Sequence, residues 1–89
     1  MKKSKYEQVA ELELDLHGYT TSEADIALGE LIRDRAYSHV RIITGRGLHG
    51  GHGPVLRDFV KNYLSDRAIV WRQSKITDGG EGALEVFLN

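Results

Sequence analysis

The hydrophobic patterning of this chain predicts an α/β fold: a two-layer sandwich in the order β-α-β-α-β-β, with a four-stranded mixed sheet and two helices on one face. Three observations predict it. Short stretches that alternate apolar and polar residues are interleaved with two longer stretches of helical period. The last two alternating stretches are separated only by a glycine cluster, which implies an antiparallel hairpin. Only two helical stripes exist, enough to cover one face of a sheet and leave the other partly open.

Each element follows in turn. Residues 12–16 alternate, with Leu12, Leu14 and Leu16 on one side, Glu13 and Asp15 on the other, and His17 in phase with the acids. This is a half-buried strand, and Gly18 and Tyr19 turn the chain after it. Thr20 and Glu23 have the spacing of a capping box, in which each side chain satisfies a free backbone donor at a helix start. Ala24, Ala27, Leu28, Leu31 and Ile32 then form an apolar stripe that fades near Ala36. Residues 40–44 read as a second strand. Gly53 and Pro54 resemble an N-cap followed by proline at the first helical position, where its missing N–H costs nothing. Leu56, Phe59, Val60, Tyr63 and Leu64 form the second stripe. Residues 69–75 read as a third strand, 78–82 as a turn cluster, and 84–88 as a closing strand. Strand–helix–strand order implies parallel pairing with right-handed crossovers. Residues 1–10 form an arm, and 11–89 the domain.

Composition narrows the function. The chain has 89 residues, which is one domain, and no cysteine, so neither disulfides nor thiolate metal sites hold it together. No apolar run reaches the ~18 residues of a membrane span. The basic start, residues 1–5, lacks the apolar stretch of a signal peptide, so a cytoplasmic protein is expected, with no membrane partner. The net charge of −1 argues against wrapping nucleic acid by bulk charge.

Charge is instead concentrated locally. Residues 44–57 (TGRGLHGGHGPVLR) hold five of the ten glycines, two arginines, two histidines and no acid. Glycines let backbone N–H groups approach an anion, and a helix N-terminus adds free donors and the positive end of a dipole. Arg46 and Arg57 add guanidinium forks suited to phosphate. The phosphate-binding candidates are therefore Thr44, Gly45, Arg46, Gly47, His52 and Arg57. An ordinary strand-to-helix connection would need fewer of these residues. The literal match of Gly45, Gly47 and Gly50 to the dinucleotide fingerprint fails on context, because Pro54 delays the helix and Asp66 lies at a helix end rather than a strand end.

Asp15-Leu16-His17-Gly18 is the second feature. Asp15 and His17 share a face, roughly 7 Å apart along a strand. Parallel pairing would bring the ends of the first two strands to one edge, where ligands favour the carboxyl side, and so place His17 beside the glycine loop. Histidine is suited to proton transfer near neutral pH, and an adjacent carboxylate would orient it. A purely structural role for both residues is the alternative. His49 and His52 with His17 would supply three imidazoles for zinc, a weak signal without a further acid or thiolate. His39 is expected at the surface. Tyr63 is expected in the core, and Tyr19 either stacks on a base or covers its turn. Arg41, Arg72 and Lys75 form either a positive track on the open sheet face or ordinary solvated strand charges.

Taken together, LELDLHG at 12–18, TGRGLHGGHGPVLR at 44–57 and GGEGALEVFL at 79–88 resemble the Smr domain, the small MutS-related family, over nearly the whole chain from Glu11 onward. The resemblance implies a two-layer α/β sandwich similar to the C-terminal domain of a bacterial translation initiation factor. It also implies nucleic-acid binding, with endonuclease activity in several members. Some members resemble DNA-nicking enzymes, and others RNA endonucleases, including ones acting on messenger RNA at stalled ribosomes. It further implies that the aspartate and histidine of DLHG, here Asp15 and His17, are the important pair. The family's glycine loop falls on Gly45, Arg46, Gly47 and His49. Arg46 stands where the family often has lysine, which preserves charge, and Gly50 where it often has serine, which removes a hydroxyl.

The resulting expectation is a nucleic-acid endonuclease with Asp15, His17 and His49 as catalytic candidates, acting on DNA or RNA, with the ribosome as a further candidate partner. Cleavage of RNA through its 2′-OH would need no cofactor. Nicking of DNA would call for a divalent cation, Mg or Mn, with Asp15 as a candidate ligand. A non-catalytic DNA-, RNA- or ribosome-binding module is the alternative, and a zinc-dependent phosphohydrolase a distant third. Oligomeric state and sequence preference are not legible.

Overall fold

The computed structural model describes residues 9–45 and 53–88. It contains β1 (Leu12–Asp15), α1 (Thr21–Asp34), β2 (His39–Ile43), α2 (Gly53–Asp66), β3 (Val70–Gln73) and β4 (Ala83–Phe87), with two short 3₁₀ turns, Ile76–Asp78 and Gly80–Gly82, before the last strand. The element order is the one read from the sequence. The capping box is present: Glu23 N–H donates to Thr20 Oγ1 and Thr20 N–H donates to Glu23 Oε1. This closes two backbone donors at the start of α1 that would otherwise be free.

The sheet order is β1-β2-β4-β3. β1 and β2 are parallel neighbours, as the first crossover implies. β2 and β3 run in the same direction but are not neighbours, because β4 lies between them and pairs antiparallel with both. The hairpin that closes the chain therefore folds inward rather than extending the sheet. Its strand is the most buried of the four, and apolar residues at 83, 84 and 86 suit a central position.

Register explains which side chains meet. Leu12, Val40, Val86 and Trp71 share one row, and Leu14, Ile42 and Leu84 the next, all on the helix side. They form one core with Ala24, Leu28 and Leu31 of α1 and Leu56, Val60, Tyr63 and Leu64 of α2. Fully burying one such aliphatic side chain contributes about 1.5–3 kcal/mol, and Leu16, Leu28, Val40, Ile42, Leu56, Val60, Leu84 and Val86 are all 0% exposed. Tyr63 lies in this core, as expected.

The other face is not open in the way the patterning suggests. Glu13, Arg41, Glu85 and Arg72 lie side by side across all four strands. Glu85 is 2% exposed and accepts three hydrogen bonds: from Ser74 Oγ at 2.5 Å, His39 Nε2 at 2.6 Å and Arg41 Nε at 2.8 Å. Arg41 also reaches Glu13 at 3.1 Å and Asp78 of the first 3₁₀ turn at 3.6 Å. Burial by itself pushes the Glu85 carboxyl up. The bonds from Ser74, Arg41 and His39 and the nearby guanidinium charge outweigh it, so the carboxyl lies below its usual range.

Two expectations are corrected here. His39 is not a surface residue: it is 9% exposed, stacked on Phe87 with ring centroids 4.7 Å apart, and tied to Glu85. Arg41 is neither part of a free positive track nor a solvated strand charge, because three carboxylates hold it. The causes differ: Phe87 and Glu85 of β4 close over His39, whereas Arg41 is held by Glu13, Glu85 and Asp78 of the 74–82 segment.

Candidate functional site

The candidate site is built at the carboxyl edge of β1 and β2. Leu16 is fully buried, and its N–H donates to Ile43 O at 2.7 Å, extending the parallel ladder one residue past the strand. With Leu16 anchored inward, Asp15 and His17 on either side of it stay at the surface. Tyr19 N–H then donates to Leu16 O at 2.9 Å, and Gly18, at φ +81°, takes the third position of this turn. A type II turn requires a positive φ there, which glycine adopts without strain. His17 is thus held at the corner of a tight turn that is bonded to the sheet edge.

Asp15 and His17 form a pair. Asp15 Oδ1 lies 2.6 Å from His17 Nδ1 and also accepts the His17 backbone N–H at 3.0 Å. The His17 side-chain bond, then its backbone N–H, hold the Asp15 carboxyl below its ordinary value, against a small opposing effect of burial. An ionised carboxylate only accepts, so Nδ1 carries the hydrogen of this bond. In the neutral ring the lone pair then sits on Nε2, the nitrogen that can accept a proton from a ligand. The side chains of His17 and Asp15 are 71% and 51% exposed, which leaves the pair open to a large substrate.

Gly45, the described start of the glycine-rich segment, lies beside this pair as the parallel pairing implies. Gly45, also at φ +81°, lies against His17: a Cβ added to it would be in ordinary van der Waals contact, 3.5 Å from the His17 Cβ. Thr44 N–H and Gly45 N–H both donate to Gly82 O, at 2.9 and 3.1 Å, and Thr44 is 1% exposed. These two residues, expected in the phosphate cradle, therefore have no backbone N–H to offer an anion. They fasten the start of the loop to the second 3₁₀ turn. Arg57 is half-buried in the second turn of α2, the helix that starts at Gly53. Arg46, Gly47, His49 and His52 lie outside the described residues, so the zinc arrangement of His17, His49 and His52 has one described member. Among the described residues no group of three or more His, Cys, Asp or Glu side chains could hold a metal ion. No helix among them is long and apolar enough to cross a membrane.

The Smr domain model matches residues 14–89, from Leu14 through the whole of the site. The chain belongs to the Smr domain family. This family has nuclease and nucleic-acid-binding members. The chain is similar to the Smr domain of Thermus thermophilus MutS2, with a TM-score of 0.72 and 24% identity over 86% of this chain and 96% of that one. It is similar as well to the B3BP Smr domain, with a TM-score of 0.69 and 26% identity over 86% of this chain and 77% of that one. An uncharacterized protein of Treponema pallidum (strain Nichols) is 44% identical over 59 residues, 63% of this chain. The chain spans 29% of the length of that relative.

Sequence reasoning missed the brace behind the site. Gly82 was legible only as part of a turn cluster, and Glu85 only as the polar member of an alternating strand. A signal did exist for Glu85: it is the lone charge in the otherwise apolar strand ALEVF. A charge in a central strand needs partners, and here they come from β2 and the 74–82 segment.

Proposed function

We propose that this Smr domain is a nucleic-acid endonuclease, and that RNA cleaved through its own 2′-OH is the substrate the site geometry favours. The supporting observation is the Asp15–His17 pair, which leaves Nε2 of an exposed imidazole as the proton acceptor on a residue packed against Gly45. In this reading His17 Nε2 removes the 2′-OH proton, and the 2′ oxygen attacks the adjacent phosphorus. The bond to the 5′ oxygen breaks, giving a 2′,3′-cyclic phosphate, and the leaving oxygen takes a proton from a second donor. His49 is the candidate donor, and Arg46 and Arg57 the candidates for stabilising phosphate charge. No cofactor takes part in this route. Cleavage of DNA lacks an internal nucleophile and would call for a divalent cation to activate water.

The second reading is a non-catalytic module that binds DNA, RNA or a ribosomal surface. The wide exposure of the pair favours it, since catalytic groups are more often sheltered from water. One experiment separates the two. The purified protein and a His17→Ala variant are incubated with a structured RNA and with supercoiled plasmid, each with and without EDTA. The expected result is RNA cleavage that survives EDTA, leaves cyclic phosphate ends and is lost in the variant. Plasmid nicking abolished by EDTA would move the assignment to metal-assisted DNA cleavage. Retained binding without any cleavage would establish the module instead.

A further inference from the structure

A cleft of about 380 Å3 lies at the edge of the sheet opposite His17. Both helices run back from the carboxyl edge of the parallel strands, so their last turns meet at the amino edge. Leu88 N–H donates there to Ser38 O, next to the start of β2. The half-buried side chains of Ile32, Tyr37, Ile69 and Leu88 line the cleft, and Arg35 and Arg67 stand with them as exposed residues.

Two details separate this cleft from an ordinary surface dent. The first is backbone. Arg35 caps α1 in the left-handed conformation at φ 53°, and Ala68, next to Arg67, has φ 57°. Glycine is the usual residue at such helix ends because other residues are strained there. At Ala68 the cap itself accounts for it, since Ile69 N–H donates to Leu64 O and Ala68 N–H to Ser65 O; at Arg35, which lines the cleft, the persisting strain points to a use for the side chain. The second is the state of the two guanidinium groups. Arg67 is fixed, with its guanidinium carbon 3.5 Å from the Tyr63 ring centroid and Nη1 donating to Tyr63 O at 3.2 Å. The Arg35 side chain has no hydrogen-bond or ion-pair partner among the described residues.

One immobilised and one free guanidinium beside an apolar floor match a carboxylate next to an apolar side chain. A nucleic-acid backbone fits less well. Ile32, Tyr37, Ile69 and Leu88 offer a phosphate chain an apolar floor rather than donors, and Asp34, Asp66 and the carbonyl ends of both helices oppose any anion here, a run of phosphates more than a single carboxylate. We propose that this cleft docks a protein partner through a short acidic segment. Its apolar side chain sits on Ile32, Tyr37, Ile69 and Leu88, and its neighbouring carboxylate lies across Arg35 and Arg67. The surface is independent of the nuclease reading, and its position leaves the His17 edge free while the partner is bound.

The test is an NMR titration of the 15N-labelled protein with the capped peptide acetyl-Glu-Phe-Glu-Leu-amide, against the same peptide with glutamine in place of glutamate. The expected result is saturable shifts at the amides of Ile32, Tyr37, Ile69 and Leu88, with affinity for the glutamine peptide at least about ten-fold weaker. Arg35→Gly removes the guanidinium and relaxes the left-handed cap. It should weaken the acidic peptide by about ten-fold or more while melting no lower than the parent, and Arg35→Asn, which also tolerates that backbone, should show the same loss of affinity. Equal binding of the two peptides, or unchanged affinity in both variants, would overturn the proposal. So would the absence of saturable shifts at millimolar peptide, or shifts at the same amides produced instead by an oligoadenylate.

Discussion

Replacing Glu85 with glutamine tests the account of the buried face. The substitution keeps the size of the side chain and removes its charge. Glu85 is 2% exposed and accepts from Ser74, His39 and Arg41. An amide keeps one acceptor oxygen, so at least one of the three bonds must be lost or reverse its direction, and the charge on Arg41 loses its buried counterpart. Stripping one partner from a buried ion pair costs about 3–5 kcal/mol. Arg41 retains Glu13 and Asp78, so the expected loss for Glu85→Gln is smaller, about 2–3 kcal/mol at pH 7, near the upper range for a hydrogen bond to a charged group. For a domain of this size, that corresponds to a fall in Tm of roughly 10–20 °C.

The pH dependence has a definite sign. The folded-state carboxyl of Glu85 lies below its ordinary value. Its contribution is therefore present above the unfolded value of about 4.3, and it is lost as pH falls through the lower folded value. Urea unfolding of both proteins from pH 7 to pH 3 should show a gap that is constant at neutral pH and narrows below about pH 4.5. Other carboxylates, Asp15 among them, titrate in both proteins and cancel in the difference. Equal stability at pH 7, or a gap that persists unchanged to pH 3, would refute the reasoning.

Three further outcomes are expected. Asp15→Asn should lower single-turnover RNA cleavage by about 10²–10⁴-fold, because Nε2 of His17 would no longer be held as the proton acceptor. Thermal stability should change by less than about 1 kcal/mol, since the pair is exposed, and a variant with full activity would remove Asp15 from the mechanism. Gly79→Ala would place a Cβ 2.7 Å from the Ala83 Cβ at φ +122°. The clash and the backbone strain should cost about 2–4 kcal/mol in urea unfolding, and a negligible loss would mean that the turn re-forms easily. Thr20→Ala should cost about 1 kcal/mol and speed amide exchange at Glu23, whose N–H it leaves without an acceptor.

Much of the fold was legible because local and global signals agree. Thr20 and Glu23 mark a helix start by spacing alone. Leu12, Leu14 and Leu16 mark a strand with one buried face. The juxtaposition of His17 with Gly45 followed from parallel pairing of β1 and β2, since two parallel neighbours end at one edge. The position of β4 was not legible. A short turn fixes that two strands are antiparallel, but not on which side the second strand lies. The same limit hid His39, which reads as polar beside a loop and is buried only because Phe87 and Glu85 close over it.

By itself, the sequence determined the element order, the helix-facing core, the family, and the Asp-Leu-His-Gly turn with its glycine-rich neighbour. These rest on periodicity and motif, which act between residues close in the chain. Tertiary structure alone decided that β4 separates β2 from β3, that Glu85 gathers His39 and Arg41 from β2 and Ser74 from the segment before β4, and that Gly82 spends the Thr44 and Gly45 amides on holding the loop in place. Contacts of that kind depend on which segments exclude water from one another. That choice is made by the packing of the whole chain and leaves no period in the sequence to be read.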